Sequence, residues 1–239
     1  MTAELRCEWG LQGARTLSAD SDVVVLVDVL SFSTCLDVAL ARGVEILPYR
    51  WKDLSSYDYG RELGAELARS RGKGRFSLSP QSFLDAPPGV RVVLPSPNGA
   101  SLTLECGAGT ILNACLRNAS AVATAAQSMG RRISVIPAGE RFADDSLRPC
   151  LEDWIGAGAV LAGLEGKPTP EVEAARAAFH RVRDSLPSTL RDCVSGRELC
   201  ERGWPGDVEI AAQLDVSTCV PIFRAPAYTA LAPECEARA

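Results

Sequence analysis

Three polar segments of the chain follow apolar stretches, and each carries side chains suited to binding a metal ion or an anion. The first segment is VDVLSFST, residues 27–34, in which Asp28 follows five apolar residues and precedes Ser31, Ser33 and Thr34. A carboxylate at the end of a strand can hold Mg²⁺. The hydroxyls, together with the amides of a helix N-terminus, can hold phosphate oxygens. A structural interpretation stays open, in which Ser33 or Thr34 caps a helix and Asp28 balances a cation.

The second segment is LPSPNGA, residues 94–100. Proline, asparagine and glycine in this order form a tight turn, here directly after a predicted strand. The backbone amides of this turn and the side-chain amide of Asn98 could contact a ligand. An ordinary turn with no ligand is the alternative.

The third segment joins PAGE, which ends at Glu140, to CLEDW, which begins at Cys150. Gly139 permits close approach of the backbone to a ligand. Glu152 and Asp153 open an apolar helix, where negative charge also favours the helix dipole. The spacing therefore allows either a ligand-binding role or a purely structural role for these two carboxylates.

Histidine and cysteine usage excludes several kinds of catalytic site. The single histidine, His180, lies in a polar helical pattern, which predicts a solvated side chain rather than a catalytic or zinc-binding one. The nine cysteines form no C-x-x-C pair, and none is followed by an arginine six positions later. Their scatter is typical of reduced cytosolic thiols, so neither a zinc site nor a cysteine nucleophile is expected.

The charge and hydropathy of the chain argue against nucleic acids and membranes as partners. The net charge is −5, whereas nucleic-acid and anionic-membrane surfaces need a basic face. No apolar run approaches the roughly 20 residues of a membrane span. No signal-peptide pattern opens the chain. We therefore expect a cytoplasmic protein with a small-molecule partner, without nucleic-acid or membrane partners, and we leave homo-oligomerisation open.

The elements that position these segments follow from the alternation of β-branched runs with helical patterns. The predicted strands include Val23–Val27, 90–94 and 132–136, and the predicted helices include 33–42, 54–70, Ala119–Met129, 151–164 and 171–186. Residues 71–89 and 138–149 are predicted to be irregular loops. The alternation predicts a layered α/β/α fold with a mainly parallel sheet. We expect one compact domain over residues 1–239, with an internal seam near residues 166–170.

Ligands of parallel sheets bind beyond the carboxyl ends of the strands. The three polar segments all follow predicted strands. Although they are far apart in the chain, we expect Asp28, Asn98 and residues 139–153 to meet in one cleft.

In order and spacing, the chain resembles the 2-phosphosulfolactate phosphatase family from about residue 20 to 222. The matching stretches are VVVLVDVLSFSTCLDVALARG, SPNGA, LRNASAVA, PAG with LEDWIGAGA, and SGREL, followed by Gly203, Asp207, Val208, Asp215, Val220 and Pro221. The resemblance implies an α/β, Mg²⁺-dependent phosphatase that removes phosphate from a small sulfonated or carboxylated acid, as in coenzyme M biosynthesis.

The resemblance also implies roles for individual residues. The metal-binding and catalytic positions are Asp28, Glu152 and Asp153. The positions implied for substrate or phosphate binding are Ser33, Thr34, Asn98, Gly99, Asn118 and Gly139, to which the local sequence adds the hydroxyl of Ser31. With so little histidine in the chain, a carboxylate is the expected general base. The alternative is a non-catalytic protein on the same fold that binds a small anion.

Two departures from the family pattern concern arginine. Family members carry arginine at the position of Ser31, and they have a Gly-Glu-Arg segment before the Ser-Pro loop, a region that reads RSRGKGRFSLSPQSF in this chain and has no Gly-Glu-Arg. Arginine is the natural bidentate partner of phosphate, carboxylate and sulfonate. The candidates to replace the missing arginines are Lys73, Arg75, Arg141 and Arg148.

Overall fold

The structure is a computed structural model that describes residues 2–50, 53–107 and 109–232. The strands are β1 (Glu4–Cys7), β2 (Val23–Val27), β3 (Glu45–Tyr49), β4 (Glu66–Leu67), β5 (Arg91–Pro95), β6 (Thr110–Ala114), β7 (Arg132–Pro137), β8 (Glu140–Arg141), β9 (Leu147–Arg148), β10 (Lys167–Pro168), β11 (Pro221–Arg224) and β12 (Ala227–Ala230). The α-helices are α1 (Gly10–Ser18), α2 (Phe32–Ala41), α3 (Ser55–Glu62), α4 (Gly99–Glu105), α5 (Ala119–Met129), α6 (Leu151–Ala162), α7 (Pro170–Val182), α8 (Leu186–Asp192), α9 (Val194–Glu201) and α10 (Pro205–Ala211).

Within the described ranges, ten strands form one sheet in the order β10-β1-β7-β2-β6-β11-β12-β3-β5-β4, and β8 and β9 form a separate hairpin. Only the pairs that involve β11 or β12 are antiparallel in the large sheet. The remaining pairs are parallel. The predicted mainly parallel sheet is therefore confirmed.

Strand β2 explains why helices cover both faces of the sheet. All five of its residues are buried, as expected for a parallel strand with a continuous apolar sequence. Val23, Val25 and Val27 pack in the core formed with α5, α6 and α7. Val24 and Leu26 pack on the opposite face, against residues of α1 and α4. This alternation confirms the layered α/β/α architecture.

Several element boundaries differ from the sequence predictions. The helix predicted over residues 54–70 ends at Glu62, because Glu66 and Leu67 pair with the exposed edge of β5. The loop predicted over residues 138–149 contains the β8–β9 hairpin. The helix predicted over residues 171–186 is α7, which ends at Val182 and is followed by a short 3₁₀ turn and α8.

The predicted seam near residues 166–170 contains the edge strand β10, which pairs in parallel with Glu4 and Leu5 of β1. The organisation into one domain stays a prediction. Among the helices of the described residues, none is long and apolar enough to cross a membrane.

Candidate active site

Asp28 lies directly after β2, at the carboxyl end of the central strands, and is 7% exposed. Its Oδ1 accepts a hydrogen bond from the amide of Phe32 at 3.1 Å. Its Oδ2 accepts one from the amide of Gly99 at 3.0 Å. The carboxylate is therefore held by backbone amides from the starts of two helices, α2 and α4.

The segment after β5 reaches Asp28 from a distant part of the sheet. A Cβ atom on Gly99 would lie 2.6 Å from Cγ of Phe32 and 2.8 Å from Oδ2 of Asp28. Only glycine allows this close approach. The preceding residue, Asn98, donates from its side-chain amide to Glu140 at 2.9 Å. The second polar segment thus contacts both the first and the third.

Asp153, in the first turn of α6, is held by backbone amides in the same way as Asp28. Its Oδ1 accepts from the amide of Val29 at 2.7 Å, and its Oδ2 accepts from the amide of Gly139 at 2.8 Å. Gly139 has a φ of 68°, and a Cβ there would lie 2.9 Å from the carbonyl oxygen of Arg148. These contacts join the turn after β2, the turn after β7 and the start of α6. The predicted convergence of these segments is confirmed, and a single cleft lined by all of them stays a prediction.

Glu152, next to Asp153 in the first turn of α6, is also buried. Its Oε2 accepts a hydrogen bond from the thiol of Cys193 at 3.3 Å. Burial raises the pKa of Cys193 to about 12, and Glu152 adds to the increase. The thiol therefore stays protonated at neutral pH, which suits a donor and not a nucleophile.

Burial and nearby carboxylates raise the pKa values of Asp28 and Asp153. Burial raises the pKa of Asp28 from 3.8 to about 7, with a further contribution from Glu140, against the effect of the two backbone amides. The pKa of Asp153 is raised well above its usual range, first by burial and then by Glu152 and Asp28. Burial thus disfavours the charged forms of these two carboxylates, and a bound cation would stabilise those charged forms.

The hydroxyls of Ser33 and Thr34 form hydrogen bonds within the turn that contains Asp28. The hydroxyl of Ser33 accepts from the amide of Asp28 at 2.7 Å, and Thr34 donates to the carbonyl of Val29 at 2.7 Å. Both residues are fully buried, and neither is the N-cap of α2, a position that Ser31 occupies. Their roles in phosphate binding stay predictions.

Asn118 is likewise held by scaffold contacts. Its side-chain oxygen accepts from the amide of Cys115 at 2.9 Å, and its NH₂ group donates to the carbonyl of Cys219 at 3.0 Å. The amide therefore links the end of β6 to the segment before β11. Its implied contact with substrate stays a prediction.

The structure places a guanidinium beside Ser31 that the sequence predictions missed. Arg71 donates from Nη2 to the hydroxyl of Ser31 at 2.8 Å and from Nε to Asp207 at 2.9 Å. Arg71 lies in the loop between β4 and the short 3₁₀ helix Pro80–Phe83. The only sequence signal for it is the basic run RSRGKGR, which gives no reason to select this arginine.

Comparison with known proteins identifies the family of the chain. A family model described as 2-phosphosulpholactate phosphatase matches residues 13–226, nearly the whole chain. The chain belongs to the 2-phosphosulfolactate phosphatase family. The family's name describes enzymes of the hydrolase class, which remove a phosphate group.

Three relatives extend this comparison. A 2-phosphosulfolactate phosphatase from Methanothermobacter thermautotrophicus is 29% identical over 85% of this chain and 88% of its own length. A probable 2-phosphosulfolactate phosphatase from Carboxydothermus hydrogenoformans is 29% identical over 85% of this chain and 87% of its own. Another from Pseudothermotoga lettingae is 24% identical over 88% of this chain and 93% of its own.

Three of the four cations considered as replacements for the missing family arginines have acidic partners of their own. Arg75 pairs with Glu66 at 3.1 Å, Arg141 with Asp145 at 2.7 Å, and Arg148 with Glu198 at 3.4 Å. The fourth, Lys73, lines the same cavity as Arg71. None of the four has a described hydrogen bond to Ser31, the position where family members carry arginine, whereas Arg71 does.

The donor set of the cleft fits the Mg²⁺ ion that the resemblance implies. Asp28, Glu140, Glu152 and Asp153 form no ion pair with any lysine or arginine that the structure describes. No three described His, Cys, Asp or Glu side chains lie close enough together to hold a metal ion by themselves. However, Mg²⁺ is commonly held by one or two carboxylates, with water and substrate phosphate completing the coordination. The carboxylates after β2 and at the start of α6 suit that kind of site.

Proposed function

We propose that this chain is a Mg²⁺-dependent phosphatase that hydrolyses a phosphate monoester of a small anionic acid. The proposed reaction is similar to the conversion of 2-phosphosulfolactate to sulfolactate and phosphate. The observation that carries the proposal is the buried carboxylate of Asp28, fixed by amides of two separate segments among further carboxylates. Membership of the 2-phosphosulfolactate phosphatase family supports it.

Asp28 would hold the metal ion, with Glu152 or Asp153 as the further ligand. When bound, Mg²⁺ neutralises negative charge on the phosphate and orients or activates a water molecule. Burial, together with neighbouring carboxylates, raises the pKa values of Asp28 and Asp153, and a bound divalent cation would stabilise their charged forms. Backbone amides fix the carboxylates of Asp28 and Asp153 in place before the substrate arrives.

The chain's other polar groups would position the substrate. Asn98 lies at the rim of the cleft, where its amide contacts Glu140, and the backbone around Gly99 and Gly139 approaches the carboxylates closely. The general base is proposed to be a carboxylate of this cleft. The single histidine, His180, is exposed on α7, as the sequence predicts, and belongs to a different part of the chain.

Phosphate release from 2-phosphosulfolactate and from a panel of other small phosphate monoesters tests this function. The assay is run at increasing Mg²⁺ concentration and after treatment with EDTA. We expect turnover that rises with Mg²⁺, disappears with EDTA and returns when Mg²⁺ is restored. Binding of the esters without phosphate release would instead identify a non-catalytic small-anion-binding protein. Turnover that is unchanged by EDTA would contradict the role of the metal ion.

The proposed location is the cytoplasm. The cysteines in the described part of the chain are free thiols, as expected of a reducing compartment. Homo-oligomerisation stays open, and light scattering coupled to size-exclusion chromatography would measure the oligomeric state.

A further inference from the structure

Arg71 brings a positive charge to the turn that carries Asp28. Its Nη2 lies 2.8 Å from Oγ of Ser31, and Ser31 is itself only 2% exposed. The residue after Ser31 is Phe32, whose amide donates to Asp28. The guanidinium therefore lies one hydrogen bond away from the backbone that fixes the central carboxylate of the cleft.

Asp207 holds this guanidinium in one orientation. Its carboxylate is fully buried, and its Oδ2 accepts from Nε of Arg71 at 2.9 Å. Its Oδ1 accepts from the hydroxyl of Ser79 and from the side-chain amide of Gln81. A carboxylate fixed by three donors cannot rotate freely, so it fixes the arginine as well. Asp207 is also one of the positions that match the family pattern, although it has no role in the reaction proposed above.

Arg71 keeps unused hydrogen-bonding capacity and lines a cavity. A guanidinium has five N–H donors, and the contacts with Ser31 and Asp207 use two of them. The others have no acceptor among the described residues. Arg71 lines a cavity of about 740 Å³. The charged residues of its lining are mostly basic: Arg69, Arg71, Lys73 and Arg202, against the single carboxylate of Asp53.

We propose that Arg71 binds an oxyanion group of the substrate and takes the place of the arginine that family members carry at the position of Ser31. The planar fork of a guanidinium matches phosphate, carboxylate and sulfonate equally well, so the shared chemistry is an oxyanion. The serine leaves the turn accessible to an arginine from another loop, and Asp207 orients that arginine. This role for Arg71 rests on the proposed phosphatase function.

Binding and turnover are measured separately to test this role. Isothermal titration calorimetry with inorganic phosphate and with sulfolactate reports binding, and hydrolysis of 2-phosphosulfolactate gives kcat and KM. The variants are Arg71→Lys and the double variant Arg71→Gln with Asp207→Asn, which leaves no unpaired buried charge. Arg75→Gln is the matched control, because Arg75 lies in the same loop and pairs with Glu66.

We expect the double variant to lose roughly 10- to 100-fold in affinity for at least one probe, the range for one charge-assisted contact. The KM should rise by a similar factor. Arg71→Lys should recover part of the loss, and Arg75→Gln should behave as the wild type. Weaker binding of phosphate alone would place the phosphoryl group on Arg71, and weaker binding of sulfolactate alone would place the acid group there.

The two proposals fail in different ways. Unchanged affinities and KM in a folded double variant would overturn the role of Arg71 while leaving the phosphatase function intact. Arg71-dependent binding in a wild type that releases no phosphate would overturn the phosphatase function alone. If the wild type binds neither probe, the proposed oxyanion site is wrong.

Discussion

The backbone amide of Gly99 lies 3.0 Å from Oδ2 of Asp28, although four strands separate β5 from β2 in the sheet order. Only two residues, Pro97 and Asn98, join Ser96 to Gly99, and Ser96 is still hydrogen-bonded to the neighbouring strand β3. A flat sheet would hold these strand ends about 24 Å apart at the usual spacing. The sheet must therefore curl so that its two halves meet around Asp28.

Gly99→Ala should damage both stability and activity. The added Cβ would lie 2.6 Å from the ring of Phe32 and 2.8 Å from the carboxylate of Asp28, so one of them must move. We expect a loss of about 1–3 kcal/mol in the free energy of unfolding. Because Asp28 is displaced, kcat/KM should fall by roughly 100-fold. Urea unfolding and phosphate release measure the two effects.

Gly107→Ala is the matched control, since no atom lies within 4 Å of a Cβ built there. It should change stability by less than about 0.5 kcal/mol and leave turnover intact. A Gly99→Ala protein with wild-type stability and turnover would show that the contact between the Gly99 amide and Asp28 contributes to neither.

Asp28→Asn should keep the fold and remove most of the turnover. A neutral amide is a poor Mg²⁺ ligand, so kcat should fall by roughly 100- to 1000-fold and lose its dependence on Mg²⁺. The melting temperature should change little. One backbone amide, of Phe32 or Gly99, loses its acceptor, but the variant also removes a buried charge repelled by Glu140. Asp144→Asn, in the exposed loop between β8 and β9, is the control.

A purely structural role for Asp28 predicts the opposite result. If the residue is only structural, Asp28→Asn should lower the melting temperature and leave activity per folded molecule unchanged. Phosphate release across a Mg²⁺ series, normalised to the folded fraction, separates these cases.

The positions of Asp28, Asn98, Gly139 and Asp153 could be predicted because each follows or faces a strand end in an alternating α/β sequence. That rule uses only local sequence and the common geometry of parallel sheets. Arg71 could not be predicted in the same way, because its loop has no periodicity and its partner Asp207 lies 136 residues away. Contacts between distant loops depend on how the sheet curls, and no local pattern encodes that.

The strands at the edges of the sheet, and β1 next to one edge, could not be predicted from the sequence either. Strands β4 and β10 have two residues each, which is too short for an alternating pattern to be recognised. Strand β1 has only Leu5 and Cys7 as buried positions. Such segments become strands because a neighbouring strand offers unpaired peptide groups, and this is a tertiary effect.

Asp22 should make stability depend on pH in the acid range. Its Oδ2 accepts from the amides of Arg131 and Arg132 at 2.9 Å each, and Oδ1 accepts from the guanidinium of Arg132. The Arg132 amide contributes most to lowering the pKa of Asp22 from 3.8 to about 2. A lowered pKa stabilises the fold above the unfolded-state value, and this stabilisation is lost as the pH falls from 3.8 towards 2.

Asp22→Asn should therefore remove part of the acid-induced loss of stability. Urea unfolding of both proteins between pH 2 and 7, with stability compared at each pH, measures this. The difference between them should stay constant at neutral pH and shrink as the solution becomes more acidic than the unfolded-state pKa. A difference that is the same at every pH would show that the carboxylate's charge contributes nothing.

Asn118 and Asn98 should respond differently to substitution, because one is held by scaffold contacts and the other contacts Glu140 of the proposed site. Asn118→Ala leaves the buried amide of Cys115 and the carbonyl of Cys219 without their partner, at a cost of about 1–3 kcal/mol for each group. Activity per folded molecule should stay unchanged. Asn98→Ala removes a half-buried contact with Glu140 at the rim of the cleft, so it should change stability little and lower kcat/KM. Thermal unfolding and phosphate release at saturating Mg²⁺ measure both variants. A raised KM in Asn118→Ala would place that amide on the substrate, as the family resemblance implies, and would extend the cleft towards the end of β6.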